Sequence, residues 1–133
     1  MSEPTFLFVC VHNAGRSVMA EAFCNALAAG RARGVSAGTQ PGGSPHPEVV
    51  EAMAEVGIDV SAHRGVLLDD AMVRSAARVF TMGCAVDSDV CPAILYADTE
   101  DWGLPDPKGK PMDEVRAIRH EVRRRVESLL TGL

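Results

Sequence analysis

The chain has 133 residues, 47% hydrophobic and 23% charged, with a formal net charge of −5. This length fits one domain, residues 1–133, with a core large enough for independent folding. The negative charge argues against a nucleic-acid-binding surface, and no apolar run is long enough to cross a membrane. No basic segment followed by an apolar one stands at the N-terminus, so we expect a cytoplasmic protein. We also expect a monomer.

The first elements in the chain are a buried strand, a short loop and a helix. Residues 6–9 form a continuous apolar run that is typical of a buried parallel strand. Residues 17–29 follow, and their large apolar side chains recur every four positions, at Met19, Phe23 and Leu27. This spacing predicts one apolar helix face. The loop between the two elements therefore lies at the carboxyl end of a strand and the start of a helix.

Residues 10–17 form the strongest candidate site in the sequence. Unpaired N–H groups and the helix dipole suit a bound dianion here, and Arg16 offers two parallel donors to a tetrahedral anion. The same positive field favours the thiolate form of Cys10, and Ser17 can donate a hydrogen bond to it. A cysteine that ends a strand is often only a packing residue, but Gly15 and Ser17 favour catalysis. The candidate oxyanion-binding residues are Val11, His12, Asn13, Ala14, Gly15, Arg16 and Ser17.

The remaining segments alternate between strands and helices. Strands are predicted at 33–39, 77–82 and 93–97, and helices at 47–56, 67–76 and 112–130. This alternation predicts an α/β fold, a three-layer sandwich with a four-stranded parallel sheet and helices on both faces. Ligands of such sheets bind beyond the carboxyl ends of the strands, where residues 10–17 also lie.

The predicted C-terminal helix has one apolar and one basic face. Its apolar positions recur at helical spacing and predict a buried face, formed by Val115, Ile118, Val122, Val126, Leu129 and Leu130. Its arginines predict a solvent-exposed face, formed by Arg119, Arg123, Arg124 and Arg125.

Two further cysteines lie near the predicted site. Cys84 follows the third predicted strand and Cys91 precedes the fourth, so both can approach the same sheet edge as Cys10. In a reducing compartment such cysteines are more often catalytic, redox-active or metal-binding than structural. The four histidines show no ligand spacing, so we predict no zinc site. Simple packing of Cys84 and Cys91 stays an alternative, and Cys24 in the first helix is predicted to be a packed residue.

An acidic candidate stands in a rigid loop near the C-terminal helix. Asp106 precedes Pro107 and follows the sequence Trp-Gly-Leu-Pro. A lone aspartate in a loop is often a turn residue. Departure of an oxygen from a tetrahedral anion needs a proton donor, however, and this proline-bounded loop can hold a carboxyl group over the anion. We therefore predict that Asp106 is a general acid.

These segments resemble the low-molecular-weight protein tyrosine phosphatase family, and within it the thioredoxin-coupled arsenate reductases. The resemblance spans almost the whole chain and rests on residues 10–17, 36–39, 81–84, 91–92 and 101–107. It implies a Rossmann-like sandwich. Arsenate is the implied substrate, with phosphate or sulfate as analogues, and thioredoxin is the implied electron donor; we expect no bound cofactor.

The resemblance also implies a role for each thiol. Cys10 attacks arsenate and forms a covalent adduct, with Asp106 as the acid. Cys84 then attacks Cys10, and arsenite departs. Cys91 attacks Cys84, and thioredoxin reduces the resulting Cys84–Cys91 disulfide.

The chain departs from its relatives at two places. Phosphatases of this fold place aromatic residues after the Asp-Pro pair, whereas Lys108-Gly-Lys110 stands here, which favours a small inorganic oxyanion. Some reductases bind potassium behind the loop. Asn13, Glu21 and Ser36 match positions used there, but residues 62–66 lack the expected hydroxyl and carboxylate, so we expect no tight potassium site.

Three other functions stay open. The first is a tyrosine or acid phosphatase, because the loop and the acid are shared with phosphatases. The second is an arsenate reductase coupled to a low-molecular-weight thiol and a glutaredoxin-like partner, which the pair Cys84 and Cys91 argues against. The third is a non-catalytic oxyanion or redox sensor, which Asp106 argues against.

Overall fold

A computed structural model of the protein describes residues 3–82 and 99–133. Its elements are, in chain order, β1 Thr5–Cys10, α1 Arg16–Leu27, β2 Arg33–Gly38, α2 Pro47–Ala54, α3 Asp70–Ser75, β3 Arg78–Thr81, β4 Thr99–Asp101 and α4 Met112–Thr131. The strand predicted at 93–97 lies outside the described residues, as do Cys84 and Cys91.

The four described strands form a parallel sheet in the order β2-β1-β3-β4. β1 is central, pairing with β2 on one side and β3 on the other, and its residues 6–10 are buried. A strand covered on both faces needs a continuous apolar sequence, which is why residues 6–9 predict it well. The predicted α/β class and the four-stranded parallel sheet are confirmed. Strand β4 was not predicted, because Thr99, Glu100 and Asp101 carry no apolar pattern.

Helices pack on both faces of this sheet and give it three layers. The larger core lies under α1, α2 and α4, where Phe8 of β1 packs among side chains such as Met19, Met53 and Val122. The smaller core lies under α3 and is centred on Leu7 and Val9 of β1. Alternate residues of one strand therefore stabilise opposite layers.

An aromatic cluster fixes the chain segment that follows β4. The ring of Trp102 lies 5.0 Å from that of Phe80 and 5.7 Å from that of Phe8, and only 3% of Trp102 is exposed. Each such pair adds about 0.5–1.5 kcal/mol beyond its buried area. The backbone of this segment also continues the sheet, since the N–H of Trp102 donates to the carbonyl of Thr81 at 2.8 Å. The sheet thus positions the loop that carries Asp106.

The prediction that Arg119 faces solvent is wrong. Its side chain is buried, and Nη1 donates hydrogen bonds to the carbonyl of Ala52 at 2.8 Å and to Oε1 of Glu55 at 2.7 Å. Arg116 binds the same carboxylate at 2.8 Å. Hydrogen bonds from Arg116 and then from Arg119 lower the pKa of Glu55 to about 2. These contacts fasten α4 to the end of α2.

The position of Arg119 on the helix explains this burial. It stands four residues after Val115 and three before Val122, so it shares their buried stripe. Its long apolar stem fits there while the guanidinium reaches α2. Arg123 and Arg124 are exposed, as predicted, and Arg125 is half-buried.

Candidate active site

The turn between β1 and α1 surrounds the sulfur of Cys10; we call residues 10–17 the oxyanion loop. The backbone N–H of Asn13 donates to Sγ of Cys10 at 3.2 Å, and Oγ of Ser17 lies 2.8 Å from the same sulfur. Nδ2 of Asn13 donates to Oγ of Ser17 at 2.9 Å, which leaves the Ser17 hydroxyl proton available to the sulfur. Two donors directed at one sulfur stabilise a thiolate.

Asn13 gives the oxyanion loop its shape. Its φ of 49° lies in the left-handed region, which asparagine tolerates better than most residues. Its side-chain oxygen accepts a hydrogen bond from the N–H of Val66 at 3.0 Å and lies 3.2 Å from Nε2 of His63. Asn13 therefore joins the oxyanion loop to residues 63–66.

Behind the oxyanion loop, a histidine lies among the residues that match a potassium site. Nδ1 of His63 is 3.8 Å from the carboxylate of Glu21, and Oγ of Ser36 donates to that carboxylate at 2.9 Å. The oxygens of Asn13 and Glu21, which would have to bind a potassium ion, are instead contacted by nitrogen atoms of His63 and Val66. This set of groups therefore does not fit a potassium ion. Within residues 3–82 and 99–133, no cluster of three or more His, Cys, Asp or Glu could hold a metal ion.

Arg16 connects the oxyanion loop to the segment that follows β4. It is the first residue of α1 and is 4% exposed. Its Nη1 donates to the carbonyl of Leu104 at 2.8 Å, a residue that follows β4. The guanidinium that would bind an anion is therefore held by the acid loop, a name we give to residues 102–107.

The acid loop packs directly on the oxyanion loop. A side chain at Gly15 would place its Cβ 3.0 Å from the ring of Pro107, so glycine permits this close approach. The carboxylate of Asp106 accepts a hydrogen bond from the N–H of Lys108 at 3.0 Å, a turn contact typical of aspartate. The turn fixes Asp106 at the end of the acid loop.

A cavity of about 10 Å³ brings the predicted nucleophile, arginine and acid together. It is lined by Cys10, His12, Ala14, Gly15, Arg16, His46 and Asp106. Val11, Asn13 and Ser17 support the oxyanion loop without lining this cavity, and Cys84 and Cys91 lie outside the described residues. His46 was not predicted as a site residue. Its position before Pro47, at the end of the loop that follows β2, was the available signal.

A larger cavity of about 590 Å³ lies at the opposite end of the sheet. Residues at the starts of β1 and β3 and the end of α4 line it, among them Pro4, Arg78 and Leu129. Cys10, Arg16 and Asp106 are not among its lining residues. Volume alone would identify this larger cavity as the active site, whereas the chemistry of the lining residues identifies the smaller cavity.

Cys24 lies apart from this chemistry, as predicted. It is fully buried in α1 and packs against Gly34 of β2, where an added Cβ would lie 2.9 Å from Cβ of Cys24. Burial, followed by the nearby charge of Glu21, raises the pKa of its thiol to about 11. Cys24 therefore stays protonated at neutral pH and is a poor nucleophile.

Fold and cavity together define an α/β enzyme with a cysteine-bearing oxyanion loop. The chain belongs to the low molecular weight phosphotyrosine protein phosphatase family, whose model matches residues 5–133. None of the helices in the described part of the chain is long and apolar enough to span a membrane.

Within this family, the chain is similar to arsenate reductases. It is 37% identical over 130 residues to the arsenate reductase of Staphylococcus aureus (strain Newman), covering 96% of this chain and 97% of that protein. An arsenate reductase solved in its phosphate binding state superposes with a TM-score of 0.84 at 33% identity, covering 97% of this chain and 98% of that one. The thioredoxin-dependent arsenate reductase of Corynebacterium glutamicum gives 0.78 at 34% identity, covering 98% of this chain and 62% of that one.

Proposed function

We propose that the protein is an arsenate reductase that converts arsenate to arsenite for arsenic detoxification. The observation that carries this proposal is the cavity shared by Cys10, Arg16 and Asp106. The 37% identity to an arsenate reductase over nearly the whole chain supports the choice of substrate. Among the described residues, no Phe, Tyr or Trp lines the cavity, which favours an inorganic oxyanion over an aryl ester.

In the first step, the thiolate of Cys10 attacks arsenic. Arg16 and the N–H groups of the oxyanion loop hold the remaining oxygens, and Asp106 gives a proton to the oxygen that departs as water. An S–As bond forms and an As–O bond breaks, so arsenic has not yet been reduced at this step.

Reduction follows in a series of thiol exchanges. Cys84 attacks the sulfur of Cys10, the electron pair of the S–As bond passes to arsenic, and arsenite leaves. Cys91 then attacks Cys84 and frees Cys10, and the dithiol of thioredoxin reduces the Cys84–Cys91 disulfide. The two electrons thus come from two protein thiols. A relay of this kind needs a reducing compartment, so we place it in the cytoplasm.

The test is arsenate-dependent consumption of NADPH in the presence of thioredoxin and thioredoxin reductase. We expect turnover in the wild type and its loss in Cys84→Ser and in Cys91→Ser. Cys24→Ala is the matched control, because Cys24 is buried away from the cavity, and it should keep its turnover. Unchanged turnover in both relay variants would refute the relay and favour coupling to a low-molecular-weight thiol.

The alternative is a phosphatase, which shares the oxyanion loop and the acid. In that reaction water hydrolyses a thiophosphate on Cys10 and no further thiol is needed. Efficient hydrolysis of an aryl phosphate without reduction of arsenate would establish this function instead.

A further inference from the structure

His46 has a fixed place beside the reacting groups. It ends the loop that follows β2 and stands immediately before Pro47, the first residue of α2. Its backbone N–H donates to the carbonyl of Ala14 in the oxyanion loop at 2.9 Å. Its Cδ2 would lie 3.4 Å from a Cβ placed on Gly15. The ring is therefore held against the oxyanion loop and lines the same cavity as Cys10 and Asp106.

The two histidines of the cavity differ in how their rings are held. Nδ1 of His12 lies 3.1 Å from the carbonyl of Gln40, whereas the ring of His46 has no hydrogen-bond partner among residues 3–82 and 99–133. Burial is the main cause that lowers the pKa of His46; Asp106 and Glu48 raise it, and Lys108 and His12 lower it. Removal of the His46 ring would therefore break no hydrogen bond within the described part of the chain, unlike removal of the His12 ring.

We propose that His46 determines substrate specificity, its ring blocking the side of the cavity through which an ester group would extend. The inference rests on the proposed function and deepens it. A general acid must face the leaving oxygen, so the leaving group lies on the Asp106 side of the bound anion. For arsenate this group is one oxygen. For an aryl ester the leaving group is an oxygen that carries an aromatic ring. This aromatic ring must pass between Asp106 and His46.

The lining of the cavity supports this assignment. His46 and Asp106 both line it, and the charge of Asp106 acts on the ring of His46. A phenyl ring on the leaving oxygen must therefore be accommodated beside the ring of His46. The oxyanion loop is held by the hydrogen bonds of Asn13 and Ser17, and the acid loop by Arg16. The ring of His46 is the wall whose removal costs no hydrogen bond among residues 3–82 and 99–133.

Shortening His46 should therefore reveal a phosphatase. In that reaction Cys10 forms an S–P bond, the ester O–P bond breaks, Asp106 protonates the departing alcohol, and water then hydrolyses the thiophosphate. The experiment measures kcat/KM for para-nitrophenyl phosphate and the Kd of inorganic phosphate. We expect His46→Ala and His46→Ser to raise kcat/KM at least tenfold and to change Kd less than threefold. Serine also caps helices well, so one variant should fold even if the other does not.

Two further variants separate space from other causes. His46→Leu keeps the bulk without the nitrogens and should stay as slow as the wild type on the aryl ester. His120→Ala, an exposed histidine of α4, should change neither quantity. An unchanged or lower kcat/KM in His46→Ala and His46→Ser would overturn the inference, as would an equal rise in His46→Leu. None of these assays uses arsenate or thioredoxin, so failure of the proposed function would appear separately, as absent wild-type arsenate turnover.

Discussion

The oxyanion loop and the acid loop meet at one cavity but are held in different ways. The oxyanion loop contains its own hydrogen-bond network, in which Asn13 donates to Ser17 and both contact the sulfur of Cys10, while Val66 and His46 add hydrogen bonds from neighbouring segments. The acid loop is held from outside, by the hydrogen bond from Arg16 to Leu104 and by the packing of Pro107 on Gly15.

Because of this difference, binding of the anion and transfer of the proton depend on different loops. An oxyanion loop that holds its own shape can bind a tetrahedral anion before any acid is in place. Arg16 adds a hydrogen bond to the acid loop through Leu104. Under the proposed function, the residue that binds the anion therefore also helps to position the proton donor. Substitutions should then differ in what they affect first, which is both loops, the acid or the thiolate.

Arg16→Lys should have the largest effect because it weakens both loops. Lysine cannot offer two parallel donors to the anion while also holding the carbonyl of Leu104. We expect kcat/KM for arsenate to fall by about 10³-fold, the upper range for loss of one oxyanion donor. The thioredoxin-coupled assay measures it, with the exposed Arg74→Lys as control. Activity within tenfold of the wild type would contradict the double role of Arg16.

Asp106→Asn should impair the acid loop alone. Loss of a general acid lowers rates by about 10²–10⁴-fold, and we expect a fall of at least about 10²-fold in kcat, because the oxygen would then depart as hydroxide, a poor leaving group. The Kd of inorganic phosphate should change less than threefold, since the oxyanion loop is intact. Asp113→Asn, an exposed change of the same charge on α4, should leave both values unchanged. A parallel loss of phosphate binding would show that Asp106 shapes the oxyanion loop.

Ser17→Ala should act first on the thiolate, because it removes the hydroxyl that lies 2.8 Å from Sγ of Cys10. A hydrogen bond to a charged group contributes about 1.5–3 kcal/mol, so we expect at least a tenfold slower alkylation of Cys10 at neutral pH. Peptide mapping by mass spectrometry after iodoacetamide treatment measures this rate for Cys10 separately. The exposed Ser128→Ala should behave like the wild type. Equal alkylation rates would mean that the N–H of Asn13 suffices.

Glu55→Gln should have the smallest effect and should leave both loops unchanged. Hydrogen bonds from Arg116 and then Arg119 lower the pKa of Glu55 from its ordinary 4.5 to about 2. A carboxylate with a lowered pKa stabilises the folded state above its unfolded pKa and loses this contribution as pH falls through the folded value. The free energy of unfolding of the variant should therefore depend less on pH between 4.5 and 2, as chemical denaturation would measure. Equal acid dependence in the two proteins would contradict this.

Short-range features of the sequence predicted the oxyanion loop better than they predicted its contacts with the acid loop. The contact between Ser17 and Cys10 lies within eight residues of chain, so residue type and spacing suffice to predict it. The bond from Arg16 to Leu104 and the approach of His46 depend on how distant segments pack, for which the sequence carries no local pattern. Strand β4 was missed for a related reason, because its polar residues owe their conformation to pairing with β3.

The error at Arg119 has a different origin. Helical spacing places it on the apolar stripe, but its charge led to the opposite assignment. A residue type with a long apolar stem and a charged end can occupy a buried position when a carboxylate such as Glu55 lies within reach. For Arg119, helical spacing indicated the buried position correctly, whereas the residue type led to the wrong prediction.

The bond between Arg16 and Leu104 also has a consequence for how the molecule is made. It joins residues 88 positions apart, and contacts of such separation close late in folding because of the entropy of the intervening chain. During synthesis the thiol of Cys10 leaves the ribosome well before the segment that aligns its acid. A nascent chain thus carries the candidate nucleophile before the candidate proton donor has been synthesised, and the complete site can arise only after Asp106 has been added.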